Sequence, residues 1–415
     1  MGISVLQWNA NGLLMRQSEF KQHLANNEYD VICIQETFLK PDKQFYLAGY
    51  DIIRRDRDSP KGGLMMLLKH GVKYLPLPDL PNIECQTVEI ATKSGGLIIV
   101  HVYVSPTTEI DVNSYQNLFS RPNTIIVGEF NANYKLWNST KENARGRVIE
   151  QLLIQNNYVA LNTSQPTYQN IRGQVSHIDL TLVSSVLATK CSWHTKNNTM
   201  GSDHMPILCH VDDHPYVETA SPPKWKLDKA DWKLYKEGCK NYIHTLLVYD
   251  DDIDTFNKNI INMVNTASGS SIPRRKSSKK TKHNPLPYWN DRIRKAVYDR
   301  NCARNKMNRT KTQENIEGYK RAKGIAQHII KDSAVTYWQN YCNTIDSSTR
   351  LGTVWNMAKR MNGIQCNIAN KHLIGTNGQV IESNADKAEL LAQKFSVVSR
   401  TNNYSEKFRQ QKCTV

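Results

Sequence analysis

Three short runs constrain this chain more than anything else in it: Val31-Ile32-Cys33-Ile34, Ile98-Ile99-Val100 and Ile125-Ile126-Val127. Successive side chains of a strand point to opposite faces, so a run that is apolar at consecutive positions needs cover on both sides of its sheet. Such runs alternate with polar or helical stretches across residues 1–212, which favours sheets packed together with helices outside. Strands are predicted near Ile3 to Trp8, Val31 to Gln35, Gly63 to Leu68, Thr87 to Ile90, Leu97 to Val104, Thr124 to Val127, Ile178 to Val183 and Ile207 to Val211. Helices are expected over Gln17 to Asn26, Val112 to Phe119 and Arg145 to Gln155, and Gly62-Gly63 and Gly95-Gly96 mark turns before strands.

Polar residues gather where these strands stop. The first ends in Asn9-Ala10-Asn11-Gly12, the second in Gln35-Glu36-Thr37, the fifth in Tyr103 and the sixth in Glu129 and Asn131; Asp179 opens the seventh, and Gly201-Ser202-Asp203-His204 leads into the last. Singly each has a plain structural explanation, as a turn, a solvated strand end or a packed histidine. Together they supply metal-assisted phosphodiester hydrolysis. Glu36 helped by Asn11 is a hard oxygen set suited to Mg2+, with Mn2+ as its substitute. His204 held by Asp179 can serve as general acid or base, or as a cation facing a phosphorane-like transition state. Glu129 and Asn131 on one loop can orient or deprotonate a water.

Charge divides the chain. The first 212 of its 415 residues balance, 19 basic against 19 acidic, so the whole net charge of +16 lies beyond them. Residues 273–331 alone hold 18 basic and 4 acidic side chains, a footprint that polyphosphate partners select, although a solvated helical face would look the same. Residues 213–287 read as a linker with short helices, including Asp254 to Ala267, and a Ser, Lys and Pro-rich break from Ser268 to Pro287. That break carries Arg274, Arg275, Lys276, Lys279 and Lys280, a flexible basic connector with a nuclear address as the alternative. Residues 288–415 read as a basic helical extension. Its apolar stripe is Ile316, Tyr319, Ala322, Ala326, Ile329, Ala334, Trp338 and Tyr341; Lys320, Arg321, Lys323 and Lys331 lie opposite, suited to phosphates. A further amphipathic piece, Val354 to Met361, precedes a turn at Thr376-Asn377-Gly378. Tyr249-Asp250-Asp251-Asp252 matches a polymerase metal pattern but lacks the strand-turn-strand context such a site needs. The nine cysteines show no C-x-x-C pair and are expected to be reduced and mostly buried; with neither a membrane span nor a signal segment, the chain is expected to be nuclear or otherwise cytoplasmic, and not secreted.

The ordered series WNANGL (Trp8 to Leu13), IQET (Ile34 to Thr37), VYVSP (Val102 to Pro106), GEFNAN (Gly128 to Asn133), SHIDLTLVSS (Ser176 to Ser185) and GSDHMPI (Gly201 to Ile207) resembles the endonuclease/exonuclease/phosphatase superfamily. More closely it is similar to the apurinic-like endonuclease domain of jockey-like non-LTR retrotransposons. The resemblance implies a four-layer α/β sandwich of two packed mixed sheets flanked by helices, a Mg2+-dependent nick in DNA and a 3′-hydroxyl that primes reverse transcription. It assigns the metal shell to Glu36, Asn9, Asn11 and Asp203, a phosphate contact to Tyr103, water orientation to Asn131 and His204 orientation to Asp179. The basic half, with Pro287 to Asn290, is similar to the linker preceding the reverse transcriptase, which suggests an element truncated before that enzyme and element RNA as a second partner. One position departs: the superfamily loop is Gly-Asp-x-Asn, and here Glu129 replaces the aspartate. One methylene displaces the carboxylate by on the order of 1 Å, and misplacement of that size can cost roughly 10²-fold in rate. The alternative is therefore a catalytically impaired relic that only binds nucleic acid.

Overall fold

The computed structural model describes residues 2–59, 61–80, 82–108, 112–216, 225–246, 253–274, 285–361, 373–374, 380–381 and 384–398. By compactness the chain divides into Met1–Val354 and Trp355–Val415. In chain order the strands of the first unit are β1 (Ile3–Asn9), β2 (Val31–Gln35), β3 (Tyr50–Arg55), β4 (Leu64–Lys69), β5 (Tyr74–Leu77), β6 (Glu84–Thr92), β7 (Gly95–Tyr103), β8 (Thr124–Glu129), β9 (Tyr158–Ala160), β10 (Tyr168–Gln169), β11 (Val175–Ser176), β12 (Asp179–Ser184), β13 (Cys191–Thr195) and β14 (Ile207–Val211). Its helices are α1 (Leu13–Asn26), α2 (Val112–Leu118), α3 (Ala144–Gln155), the one-turn α4 (Ser185–Ala188), α5 (Trp232–Leu246), α6 (Ile253–Ser271), α7 (Asp291–Arg309) and α8 (Gln313–Asn343).

Two six-stranded sheets, ordered β13-β14-β1-β2-β4-β3 and β5-β6-β7-β8-β12-β9, carry the fold. Each holds one parallel pair at its centre, β1 with β2 and β7 with β8, and is antiparallel elsewhere. The consecutive apolar residues are explained layer by layer. Val5, Val31, Cys33, Ile99, Ile125 and Val127 meet between the sheets. Leu6, Trp8, Ile32 and Ile34 face outward against Leu13, Phe20 and Leu24 of α1. Val100, Val102 and Ile126 face outward against Tyr115 and Leu118 of α2 and Ile149, Leu152 and Leu153 of α3. The result is the expected four-layer α/β sandwich. Each fully buried aliphatic side chain contributes roughly 1.5–3 kcal/mol, and the periodicity that places it is the pleat of the strand.

The interior between the sheets changes character along the strands. Beyond the apolar residues lies a buried polar layer of Gln7, Gln35, Gln86, His101 and Thr181. Gln35 Nε2 lies 2.8 Å from His101 Nε2, His101 Nδ1 lies 3.3 Å from Gln86 Oε1, and Thr181 Oγ1 donates to Gln7 Oε1 at 3.4 Å. Past this layer the same faces end in Asn9, Tyr103, Glu129 and Asp179.

The edge strands β3, β5, β9 and β13 were not expected from the sequence. The long basic stretch is two helices, capped between them by Thr312, whose side chain accepts from Asn315 N; Asn290 likewise caps α7 by accepting from Ile293 N. Helix α6 continues to Ser271, four residues into the expected break. The α8 stripe buries Tyr319, Ala326 and Ser333 and half-buries Ile316, Ala322 and Trp338. The charge step at residue 212 is not a boundary of compactness, because α7 and α8 pack within the same unit as the sandwich. Of the seven cysteines described, Cys33, Cys85 and Cys209 are buried while Cys302 and Cys342 are exposed, so the expectation of mostly buried thiols fails there. No helix among the described residues is long and apolar enough to cross a membrane. The second unit shows α9 (Leu351–Met361), which begins before the boundary, a two-stranded pairing of Leu373–Ile374 with Val380–Ile381, and α10 (Asn384–Val398). The Tyr249 to Asp252 pattern and the Thr376 to Gly378 turn lie outside the described residues.

Candidate active site at the shared edge of the two sheets

A parallel pair sets two C-terminal strand ends side by side. In the first sheet Asn9 pairs with Gln35, delivering Asn9, Asn11 and Glu36 to one edge; in the second Tyr103 pairs with Glu129. Antiparallel β12 starts at that same edge, with Asp179 directly opposite Glu129, and His204 precedes β14, which runs antiparallel to β1. The topology therefore brings six separate loop and strand ends together.

The loops leaving these strands turn through left-handed backbone at Asn11 (φ 45°), Glu36 (φ 49°) and Asn131 (φ 50°). Asparagine tolerates this region, whereas for glutamate it is a strained conformation that costs of order 1–3 kcal/mol and persists only where surroundings enforce it. At Glu36 they do. Gly12 N donates to Glu36 O at 2.8 Å, and Thr37 N and Phe38 N donate to Gly63 O and Gly62 O at 3.2 and 3.1 Å.

Glu129 is buried and spans the two sheets: Asn9 Nδ2, from the first sheet, donates to Oε2, and Asn131 Nδ2 donates to Oε1 at 2.7 Å. His204 Nδ1 lies 2.9 Å from Asp179 Oδ2 and 3.1 Å from Oδ1. Single polar atoms of Glu129, Asp179 and His204 lie within 4.8 Å of one another. Tyr103 OH donates to Glu36 Oε1 at 2.6 Å, and Asn11 Nδ2 donates to Asp203 at 2.9 Å while Asn11 N donates to Asn9 Oδ1 at 2.8 Å. Ser202 Oγ donates to Asn9 O at 2.8 Å and tethers the His204 loop to β1.

Electrostatics follow from this crowding. Burial, reinforced by Asp179 and Glu36, pushes the Glu129 carboxyl up to about 7. Burial alone would lower the His204 imidazole, but Asp179, Glu129 and Asp203 outweigh it and raise it to about 10. Burial likewise opposes ionisation of Asp203, yet His204 and the Asn11 bond bring it below the usual carboxylate range. Burial and the bond to Glu36 push the Tyr103 phenol upward.

All nine sandwich residues singled out from the sequence thus stand at this edge, in connected sets: Asn9, Glu129 and Asn131; Asp179 and His204; Glu36 and Tyr103; Asn11 and Asp203. Three neighbours were missed. Tyr168 packs its ring 4.8 Å from that of His204; buried Arg16 donates to Asn11 O and, at 3.2 Å, to Gly12 O; and Arg57 stacks 5.3 Å from the Tyr103 ring. Only Arg16 had a sequence signal, its place on the first turn after WNANGL. Of the basic positions, Lys320 and Arg321 are exposed, Lys323 is half-buried, and Arg274 stacks on Trp225 at 4.0 Å; Arg275, Lys276, Lys279 and Lys280 lie outside the described residues.

Two packed mixed sheets with acids, amides and one carboxylate-held histidine at a common edge are the arrangement that the resemblance to the endonuclease/exonuclease/phosphatase superfamily implies. Residues 97–208 match the family model described as Endonuclease-reverse transcriptase. The chain is 22% identical over 279 residues to the RNA-directed DNA polymerase from mobile element jockey of Drosophila melanogaster, covering 64% of this chain and 30% of that protein. It is 26% identical over 221 residues to the probable RNA-directed DNA polymerase from transposon X-element of the same species, covering 51% and 24%. It is also similar to the endonuclease domain of TRAS1, a telomere-specific non-LTR retrotransposon, at 20% identity, covering 51% of this chain and 98% of that one with a TM-score of 0.44. The segment that matches the family model, residues 97–208, lies within the sandwich, which is thus similar to retrotransposon endonuclease sequences. The matched segments span less than a third of the length of those two Drosophila proteins.

Proposed function

We propose that the sandwich hydrolyses a phosphodiester of DNA with the help of a divalent cation, Mg2+ or its substitute Mn2+, and leaves a 3′-hydroxyl that primes reverse transcription in a non-LTR element. The observation that carries this reading is the convergence of Glu129, Asp179 and His204 within 4.8 Å at the edge that also holds Glu36. These three could close on a cation themselves, but a histidine held as imidazolium has no lone pair to offer. The cation falls instead to Glu36, with Asn9, Asn11 and Asp203 around it, an all-oxygen set that fits a hard ion. When bound, it would neutralise charge on the phosphate oxygens.

The chain's own groups supply the rest. Asp179 fixes Nδ1 of His204, leaving Nε2–H to donate to a phosphate oxygen as negative charge builds. Glu129, with a pKa near neutrality, takes the proton of the attacking water, and Asn131 orients it. Tyr103, its hydroxyl committed to Glu36, holds that carboxylate and lines the phosphate site. The bond that forms joins water oxygen to phosphorus and the phosphorus–O3′ bond breaks, leaving a 5′-phosphate and a 3′-oxygen that takes a proton from solvent to become the hydroxyl.

Plasmid nicking tests this. Wild type converts supercoiled DNA to open circles in Mg2+, and Glu36→Ala and His204→Ala each lower the rate by about 10²-fold or more; no nicking by wild type, or full nicking by either variant, rejects it. A second reading has its own observation: both carboxylate oxygens of Glu129 are engaged by Asn9 and Asn131. On that reading the chain binds nucleic acid without cutting it, and binding with a steep salt dependence survives while no nick is detected.

A further inference from the structure

Helices α7 and α8 are more than a tether following the sandwich. Tyr288 OH lies 3.0 Å from Ser18 Oγ, and Leu286 N donates to Gln22 Oε1 at 3.1 Å, seating the start of α7 on α1. Arg300 then makes a two-pronged ion pair with Glu19 of α1, at 2.6 and 2.9 Å, with both side chains buried. That pair presses on the loop bearing Asp203 and His204: a Cβ on Gly201 would stand 2.8 Å from Glu19 Oε1 and 3.5 Å from Arg300 Nη1. Arg304 Nε donates to Gln169 Oε1 at 2.9 Å and Nη1 to Asn197 O at 3.3 Å, while Gln169 Nε2 donates to Asn308 Oδ1. Gln169 N in turn donates to Asp203 O at 2.9 Å.

The charges at this junction do not cancel. Arg300 is matched by Glu19. Arg304 bonds only neutral acceptors, and Arg16 bonds only the carbonyls of Asn11 and Gly12, with its Nε buried and without a partner. Half-buried Lys323 of α8 adds a third cation; Asp203 and Glu19 act on both Arg16 and Lys323, and Glu36 also acts on Arg16. Even with every acid ionised, the four cations Arg16, Arg300, Arg304 and Lys323 face three acids, Glu19, Glu36 and Asp203. Cations withdrawn from water without matching anions are costly, and the arrangement is explained if an anion from outside completes it.

We propose that Arg16 of α1 and Lys323 of α8, braced by Arg300 and Arg304, form a binding site for a backbone phosphate of the DNA flanking the scissile bond, so that the helical extension is a fixed wall of the substrate cleft. This rests on the nuclease reading for the identity of the strand. The site takes the phosphate by charge and geometry and carries no base preference.

The test uses the full chain and duplex DNA in EDTA, where affinity is read without cleavage. Lys323→Ala weakens binding about five- to tenfold, and the slope of log K against log salt becomes shallower by about 0.9, the value for one lost phosphate contact. Lys323→Arg restores both. In Mg2+ the alanine variant raises KM for DNA and leaves kcat unchanged. Unchanged affinity and salt slope in Lys323→Ala would overturn the proposal even if wild type nicks well; a wild type that fails to nick while Lys323→Ala shows the predicted slope would sink the nuclease reading and leave the phosphate site standing. Lys323→Met, which keeps the packing of the stem, guards against loss of fold and gives the same shift as alanine.

Discussion

Glu129 carries the sharpest question at the scale of single residues. Its extra methylene is what lets a β8 side chain reach Asn9 on the other sheet, so the longer acid trades freedom for a bridge. Glu129→Asp shortens the side chain, frees the Asn9 amide for the Glu36 side of the site and is expected to raise nicking by up to about 10²-fold, roughly 2.7 kcal/mol of barrier. Single-turnover rates for the two proteins on one plasmid decide it, and equal rates refute the positional argument. Much of this was readable beforehand. Acids and amides placed directly after buried strands, and a histidine before the last one, already marked the edge. Tyr168 was not readable, because a tyrosine in a short hairpin looks the same wherever it points.

Among the elements, the β7–β8 pair sets the geometry on which the site depends. Gly128 is required there for room: a Cβ would fall 1.9 Å from Val102 O, inside the neighbouring backbone. Gly128→Ala must spread the parallel pair that aligns Tyr103 with Glu129, and it is expected to destabilise the fold by about 1–3 kcal/mol or more, read as a lower denaturation midpoint at unchanged m-value. Central strands were legible because cover on both faces leaves an unbroken apolar run. The edge strands were not: β5 contains Pro76, β3 passes through Asp51, Arg54 and Arg55, and β13 is half-exposed, so each lacks that signature and owes its place to pairing with a neighbour already in the sheet.

Across the whole molecule the polar layer between the sheets ties stability to pH. Burial pushes the His101 imidazole down to about 3, far below its ordinary 6.5. The unfolded chain then binds a proton between those values that the folded one refuses, so stability is full above pH 6.5 and falls as pH drops toward 3. At pH 5 the loss from this one group is about 2 kcal/mol, as an upper figure. Denaturant unfolding at pH 7.5 and 5 should show it, and His101→Gln should flatten the difference; an identical pH dependence in the variant would exclude His101 as its source. The docking of α7 and α8 belongs to this scale too, and its illegibility has a physical reason. Its seam is largely polar, Arg300 with Glu19 and Arg304 with Gln169, and polar residues on a basic helix carry no sequence mark that distinguishes a partner from solvent.

The bond from Asn9 to Glu129 has a consequence for how such a domain fails. A cleft formed by a mobile lid can open without disturbing the core beneath it. Here the acid beside the histidine is fastened across the seam between two halves of the sandwich, so the halves cannot part without breaking that bond, and a molecule that has begun to open has already lost the arrangement on which the proposed chemistry depends.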